Sequence, residues 1–163
     1  MEKITTYYLE MTSPNALKRK KEPKAFNIAE CKIKQFQYNR FFYQLVGQNW
    51  AWTDKNNWTD EQWRAYSESD QLRTWAAYHQ GSPAGYYELQ KQTDGNVEIA
   101  YFGLAPLFIG KGFGGYLLTH AIQSAWNWEG TKRVWVHTCT LDHPGALKNY
   151  EARGLKIYKE KTS

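Results

Sequence analysis

The chain has 163 residues and a formal net charge of +5, the size of one domain that can bury a core without disulfides or metals. No apolar run approaches the ~20 residues of a membrane span, and the opening MEKITTYYLE lacks the apolar stretch of a signal peptide. One domain over residues 1–163, in the cytoplasm, is therefore expected. Cys31 and Cys139 form no zinc-like or redox pair; they read as buried thiols, and no metal site is expected.

Thr5–Met11 reads as a strand, rich in Thr, Tyr and Leu. Lys18, Arg19, Lys20, Lys21 and Lys24 follow in one run, read as a solvated loop rather than a nucleic-acid patch. Residues 26–33 form a second strand candidate. Tyr38, Phe41, Phe42 and Leu45 recur at helical spacing and predict a helix over 35–46. Thr59, with Gln62 three residues later, makes a capping-box pattern that starts a helix carrying Trp63 and Tyr66.

From Leu72 the period changes to two, over Leu72–His79, 84–90 and Asn96–Leu104. Asp94-Gly95 between the last two is a hairpin signal, because both residues must accept positive φ. A later helix carries Leu118, Ala121, Ile122 and Ala125 on one face and stops by Gly130. Residues 132–138 read as a strand with Val134 and Val136 on one face. Pro144 then sits at the first position of a helix and Gly154 just past its end. A strand over 155–159 closes the chain. Two helices, three antiparallel strands, then helix, strand, helix, strand describe a mixed α+β sheet with helices on both faces.

The stretch 97–118, VEIAYFGLAPLFIGKGFGGYLL, carries the functional signal. A strand with one carboxylate runs into a loop ending in Gly110, Gly112, Gly114 and Gly115, and an amphipathic helix follows. A helix N-terminus leaves N–H groups unpaired and carries partial positive charge. Glycines let the backbone approach an anion and aim those N–H groups at it, which suits a pyrophosphate. The pattern is not the dinucleotide fingerprint, because hairpins precede it, and no Gly-Lys-Ser/Thr ends it. Eight Trp and twelve Tyr are many for this length. No RNA-binding signature accompanies them, so they read as core or as the wall of a small-molecule pocket.

The strand, glycine loop and helix resemble the acetyl-CoA-binding core of the GNAT superfamily of N-acetyltransferases, whose pattern is Arg/Gln-x-x-Gly-x-Gly/Ala. Gly112 and Gly114 fall on its two glycines, and Ile109 stands at the Arg/Gln position. Downstream, HTCTLDHPGALKNYEARGL is similar to the second signature: Ala146, Tyr150, Glu151 and Gly154 match, while His143 and Leu155 replace its Asn and Phe. The likeness is specific over 72–159. WAWTD, AYFGL and TLDHP resemble a bacterial branch usually described only as acetyltransferases.

The resemblance implies an α+β fold with a mixed, mostly antiparallel central sheet splayed in the middle and helices on both faces. It implies acetyl-CoA as co-substrate, with Leu104, Ala105, Ile109, Gly110, Lys111, Gly112, Phe113, Gly114, Gly115, His143 and Tyr150 as its binding residues. A primary amine with a pKa of ~10.4 must lose a proton before attacking a thioester. A carboxylate in a semi-apolar strand can take it, because desolvation raises its pKa toward neutrality. Glu98 is that candidate, and simple alternation places it on one strand face with Ala100, Phe102 and Leu104. Tyr150 matches the family's tyrosine that protonates the departing thiolate. The backbone at Leu104 and Ala105 is expected to take the pantetheine arm.

His143 is read as a helix cap, a cofactor contact or a second base, the first two preferred; Asp142 is read as a helix-start residue. His137 and Cys139 share a strand face with Trp135 and read as packing residues that face the site at most. Trp50, Trp52 and Trp58, with Asp54 and Trp63, form an aromatic and acidic segment suited to an amine cation. The expected activity is acetyl transfer to a primary amine, of a small molecule before a protein, by direct transfer in a ternary complex. No cysteine sits where an acyl-enzyme would form. The alternatives are acetylation of a protein amine and a non-catalytic CoA-binding or regulatory module. A homodimer through an exposed edge strand is compatible with the reading; nucleic acid and membrane are not expected partners.

Overall fold

The computed structural model describes residues 3–163, so the first two residues of the domain expected over 1–163 lie outside the described residues. The strands are β1 (Thr5–Met11), β2 (Phe26–Glu30), β3 (Leu72–His79), β4 (Ser82–Lys91), β5 (Asn96–Leu104), β6 (Arg133–Cys139) and β7 (Lys156–Thr162). The α-helices are α1 (Phe36–Gly47), α2 (Asp60–Ser67), α3 (Gly114–Asn127) and α4 (Ala146–Ala152). The strands form one sheet in the order β2-β3-β4-β5-β6-β1-β7.

Local chemistry explains most boundaries. Thr59 and Gln62 exchange side-chain-to-backbone bonds of 2.8 and 3.2 Å, so the capping box starts α2 as its sequence implies. Asp94 and Gly95 adopt φ of +59° and +77°, which turns β4 into β5. β2 ends at Glu30 rather than 33, because Lys34 binds the Ser69 and Leu72 carbonyls and draws the chain off the sheet edge. α4 starts at Ala146 rather than Pro144, because a tight turn uses residues 143–145 first.

Helices cover both faces of the sheet. On one, Phe42 and Val46 of α1 pack on Ala76 and Tyr86, and Phe36, Tyr43 and Trp63 form a second cluster beneath α2. On the other, Leu117, Leu118, Ala121, Ile122 and Ala125 of α3 are buried against Leu9, Leu89, Val97, Ile99, Val134 and Val136. Each fully buried Leu or Ile contributes ~1.5–3 kcal/mol, so this face fixes α3 and the turn before it. Among the described residues no helix is long and apolar enough to cross a membrane.

Two features of the sheet create the site. β5 and β6 are the one parallel pair among the described strands, and they pair only at Asn96–Arg133, Val97–Val134 and Glu98–Trp135. Beyond Glu98 they diverge and leave a gap. A β-bulge also inserts Ala100 between the pairs Leu89–Ile99 and Glu88–Tyr101. The bulge corrects the face expected for Glu98. Phe102 and Leu104 pack with Ile99 on the α3 side, whereas Tyr101 packs on Tyr43 and Trp52 beneath α1.

Candidate active site

A cavity of about 760 Å³ opens where β5 and β6 part. Its wall combines Glu98 to Leu104 of β5, Val136 to Cys139 of β6, the α1–α2 loop, the turn before α3 and the start of α4. Its volume falls within the ~300–1,000 Å³ typical of small-molecule sites.

Glu98 sits where the two strands separate. Its Oε1 accepts from Gln92 Nε2 at 2.9 Å, and its Oε2 lies 3.6 Å from His137 Nε2. Gln92 is itself fixed, because its Oε1 accepts from the Trp135 indole at 2.9 Å. Burial pushes the Glu98 carboxyl above its ordinary value, against the opposing pull of His137, Gln92 and Lys55. His137, expected as a packing residue, has a half-exposed ring that lines the cavity beside Glu98.

Tyr150 of α4 is buried, with its ring 6.1 Å from that of Phe102, and lines the same cavity. Burial, with Asp142 adding to it, raises its hydroxyl above the ordinary phenol value. The backbone between these groups is only partly free. The Ala105 N–H donates to the Ala84 carbonyl at 2.8 Å, and the Ala105 carbonyl accepts from Phe108 at 2.9 Å. The Ala105 N–H is thus already engaged, and the residue does not line the cavity. Strand alternation turns the N–H and C=O of Phe102 and Leu104 away from β4 and into the gap, so the Leu104 expectation stays open and Phe102 joins it.

At the far end lies the glycine turn. Gly110 and Gly112 hold φ of +80° and +87°, and a side chain at either would meet nothing within 4 Å. Glycine stands there for backbone conformation and open approach rather than packing. α3 has no side-chain cap, and its first internal bond runs from Leu117 to Phe113. The N–H groups before Leu117 are thus left for a ligand or solvent. Ile109, Gly110 and Gly114 line the cavity, and Lys111 and Gly112 are exposed. The Phe113 side chain instead stacks on Phe26 with centroids 4.7 Å apart, leaving its backbone at the helix start. Beside Gly115, the Arg153 guanidinium and the Lys20 stem occupy the space a side chain would need. Arg153 Nε is buried with no hydrogen-bond partner among the described residues. The basic loop is exposed but anchored, with Lys18 N–H bonded to Arg153 O and Lys20 N–H to Thr119 Oγ1.

The α1–α2 loop closes the opposite side. Trp50 meets His143 edge-to-face at 5.2 Å, spanning from that loop to the β6–α4 loop. His143 Nδ1 accepts the Gly145 N–H at 2.9 Å, so its ring caps the turn ahead of α4 and still lines the cavity. Asp142 was expected to start the helix. It instead closes the end of β6, accepting from Thr138 Oγ1 at 2.6 Å and Cys139 N–H at 3.1 Å. Trp52 lines the cavity, but Trp58 lies behind the wall against Trp63 and Tyr66, and Trp63 is core. Cys31 and Cys139 are half-buried rather than buried, and Cys139 borders the cavity.

Sequence reasoning missed Lys55, Tyr66, Gln92, Asn149 and Arg153. Asn149 bridges Gly114 O (3.1 Å) and Arg153 (3.4 Å), tying α4 to the start of α3. Its signal was its place beside Tyr150 on the same helix. Lys55 follows Asp54 in the Trp-rich loop, where a basic residue reads as solvated until the fold buries it.

The family model of the GNAT acetyltransferases matches residues 36–155. No curated protein matches the chain. Among solved structures, a GCN5-related N-acetyltransferase from Kribbella flavida is 18% identical with a TM-score of 0.70, covering 97% of this chain and 56% of that one. A GCN5-related N-acetyltransferase from Sphaerobacter thermophilus is 16% identical with a TM-score of 0.71, covering 96% and 49%. An IAA acetyltransferase from Bacillus cereus ATCC 14579 is 22% identical with a TM-score of 0.62, covering 82% and 79%. At these identities the likeness is one of fold, and the chain spans about half the length of the first two.

Proposed function

Since the chain belongs to the GNAT acetyltransferase family, a family of acyl transfer, we propose that it moves an acetyl group from acetyl-CoA to a primary amine by direct transfer. One observation carries this reading. Glu98, Tyr150 and an uncapped helix start preceded by two open glycines border one cavity in the gap of a splayed sheet.

The residues fit an acyl-CoA. The free N–H groups of α3, Arg153 Nε and Lys20 form the anion-binding end. The Phe102 and Leu104 backbones face the strand gap, where an extended amide-bearing arm takes the place of a neighbouring strand. Acetyl-CoA, when bound, supplies the acetyl group as a thioester. Glu98, kept partly protonation-prone by burial and held by Gln92, accepts the proton that the attacking amine releases. Tyr150 donates a proton to the departing sulfur. The raised hydroxyl keeps that proton available, although it makes donation to a thiolate of ordinary pKa ~8.5 uphill. A backbone N–H directed into the gap, from Leu104 or Phe102, stabilises the developing oxyanion.

The contact between Trp50 and His143 across the cavity favours a small acceptor over a protein side chain. The test is thiol release from acetyl-CoA with a panel of small amines and lysine peptides. The reading predicts release with small amines, and Glu98→Gln should slow it by about a hundredfold or more while acetyl-CoA still raises the melting temperature. Release with peptides alone would move the acceptor to a protein amine. Binding without release by any amine would make the chain a CoA-binding module.

A further inference from the structure

We propose that Lys55 is a specificity-determining residue of this same site: its ammonium fills the aromatic cage of the acceptor cavity and selects acceptors whose only cationic group is the reacting amine, against diamines and polyamines. The proposal rests on the acyl-transfer reading above.

The cavity wall at Asp54, Tyr66 and Tyr101, with Trp58 packed behind it, forms a set of groups suited to an alkylammonium. Trp58, Tyr66 and Tyr101 present ring faces, and Asp54 supplies a carboxylate. Lys55 already occupies all of it. Its Nζ lies 4.1, 4.6 and 4.9 Å from the three ring centroids, each inside the ~6 Å range of cation–π attraction, and 3.3 Å from Asp54 Oδ2.

The placement is built in. The Lys55 N–H donates to the Tyr43 hydroxyl at 3.1 Å, which aims the side chain inward and leaves the residue 8% exposed. Both Asp54 oxygens are engaged, Oδ1 by the Tyr43 hydroxyl at 3.2 Å and Oδ2 by the Tyr101 hydroxyl and Lys55. Beneath the cage, the Tyr66 hydroxyl is held by Glu88, which Asn39 in turn holds at 2.7 Å. The Tyr66 and Tyr101 rings are therefore held by their hydroxyls.

The amine cation expected at this aromatic segment is thus supplied by the protein. An acceptor delivers its reacting amine to Glu98 on the β5–β6 side. A second ammonium on its tail would meet the fixed charge of Lys55 in a poorly solvated cavity, where like charges repel strongly. A neutral or anionic tail meets no such penalty.

Matched probes test this directly. With acetyl-CoA and thiol release as readout, kcat/KM for pentylamine should exceed that for 1,5-diaminopentane by about tenfold or more. Lys55→Met, which keeps the apolar stem without the charge, should erase most of that preference, and Lys55→Arg should retain it. A readout without turnover accompanies this. In Lys55→Ala, tetramethylammonium, which carries no N–H to acylate, should refill the cage, giving a saturable change in tryptophan fluorescence and a higher melting temperature, with neither seen in the wild type. Equal use of the two amines by the wild type, or an unchanged ratio in Lys55→Met, would overturn the proposal. So would the lack of any saturable response in Lys55→Ala. Failure of acetyl-CoA to shift the wild-type melting temperature would instead remove the acyl-transfer reading, while the tetramethylammonium response still reports on the cage.

Discussion

Glu98 differs from an ordinary surface carboxylate in two measurable ways. It is held by Gln92, and burial lifts its pKa while His137 opposes that lift. A general base works when deprotonated, so kcat/KM should rise with pH through a value above the usual ~4.3 of a glutamate. Glu98→Gln should lower kcat by about 10²–10⁴ and remove this rising limb, with acetyl-CoA affinity unchanged in a titration. His137→Ala takes away the neighbour that favours the carboxylate, so the limb should move to higher pH. A limb that stays in place would remove His137 from the electrostatics of the site. At this scale Glu98 and Tyr150 were legible, because a lone carboxylate in an apolar strand and a motif tyrosine both stand out. Lys55 was not, since nothing in WTDKNNW reveals that the loop folds the lysine inward over three rings.

The elements that position these residues obey chemistry that a pattern of polar and apolar residues only partly encodes. Thr59, Gln62, Asp94 and Gly95 announced their turns because capping and positive φ are local properties. The bulge at Ala100 was invisible. It depends on which β4 residue each β5 residue faces, and alternation alone placed Phe102 and Leu104 on the wrong side. Two glycine replacements separate conformation from packing. Gly112→Ala meets no neighbouring atom but forces φ of +87° on a residue with a side chain. It should cost about 1–2 kcal/mol and weaken acetyl-CoA binding in the same titration. Gly154→Ala, at φ of +106°, also drives its side chain into the Ala16 carbonyl. It should cost about 3 kcal/mol and lower Tm by roughly 6–12 °C in a thermal melt, with no direct effect on the site. A melt within two or three degrees of the wild type would contradict the tightness of that corner.

Across the whole molecule, the order of the strands decides where the cavity lies. β1 inserts between β6 and β7, antiparallel to both, so the start of the chain fixes the strand that borders the gap. The sequence shows a strand at Thr5–Met11 but not its neighbours, because pairing partners 123 or more residues away leave no local trace. The molecule also encloses two carboxyls, Glu88 and Glu98, whose pKa values burial raises. In such groups the native state binds protons more tightly than the unfolded chain, so stability falls as pH rises from about 4 through the raised native values. Glu88→Gln should flatten that fall in urea titrations across pH. Its amide oxygen still accepts from Tyr66, and Asn39 can turn its carbonyl toward the new N–H. A slope unchanged from the wild type would place the proton linkage elsewhere.

The most direct measurement is a crystal structure of the protein with CoA. The diphosphate should lie within hydrogen-bond distance of backbone N–H groups between residues 110 and 116, and the sulfur should rest in the strand gap between Glu98 and Tyr150. A diphosphate seated away from the start of α3, or an arm that avoids the space between β5 and β6, would contradict the account.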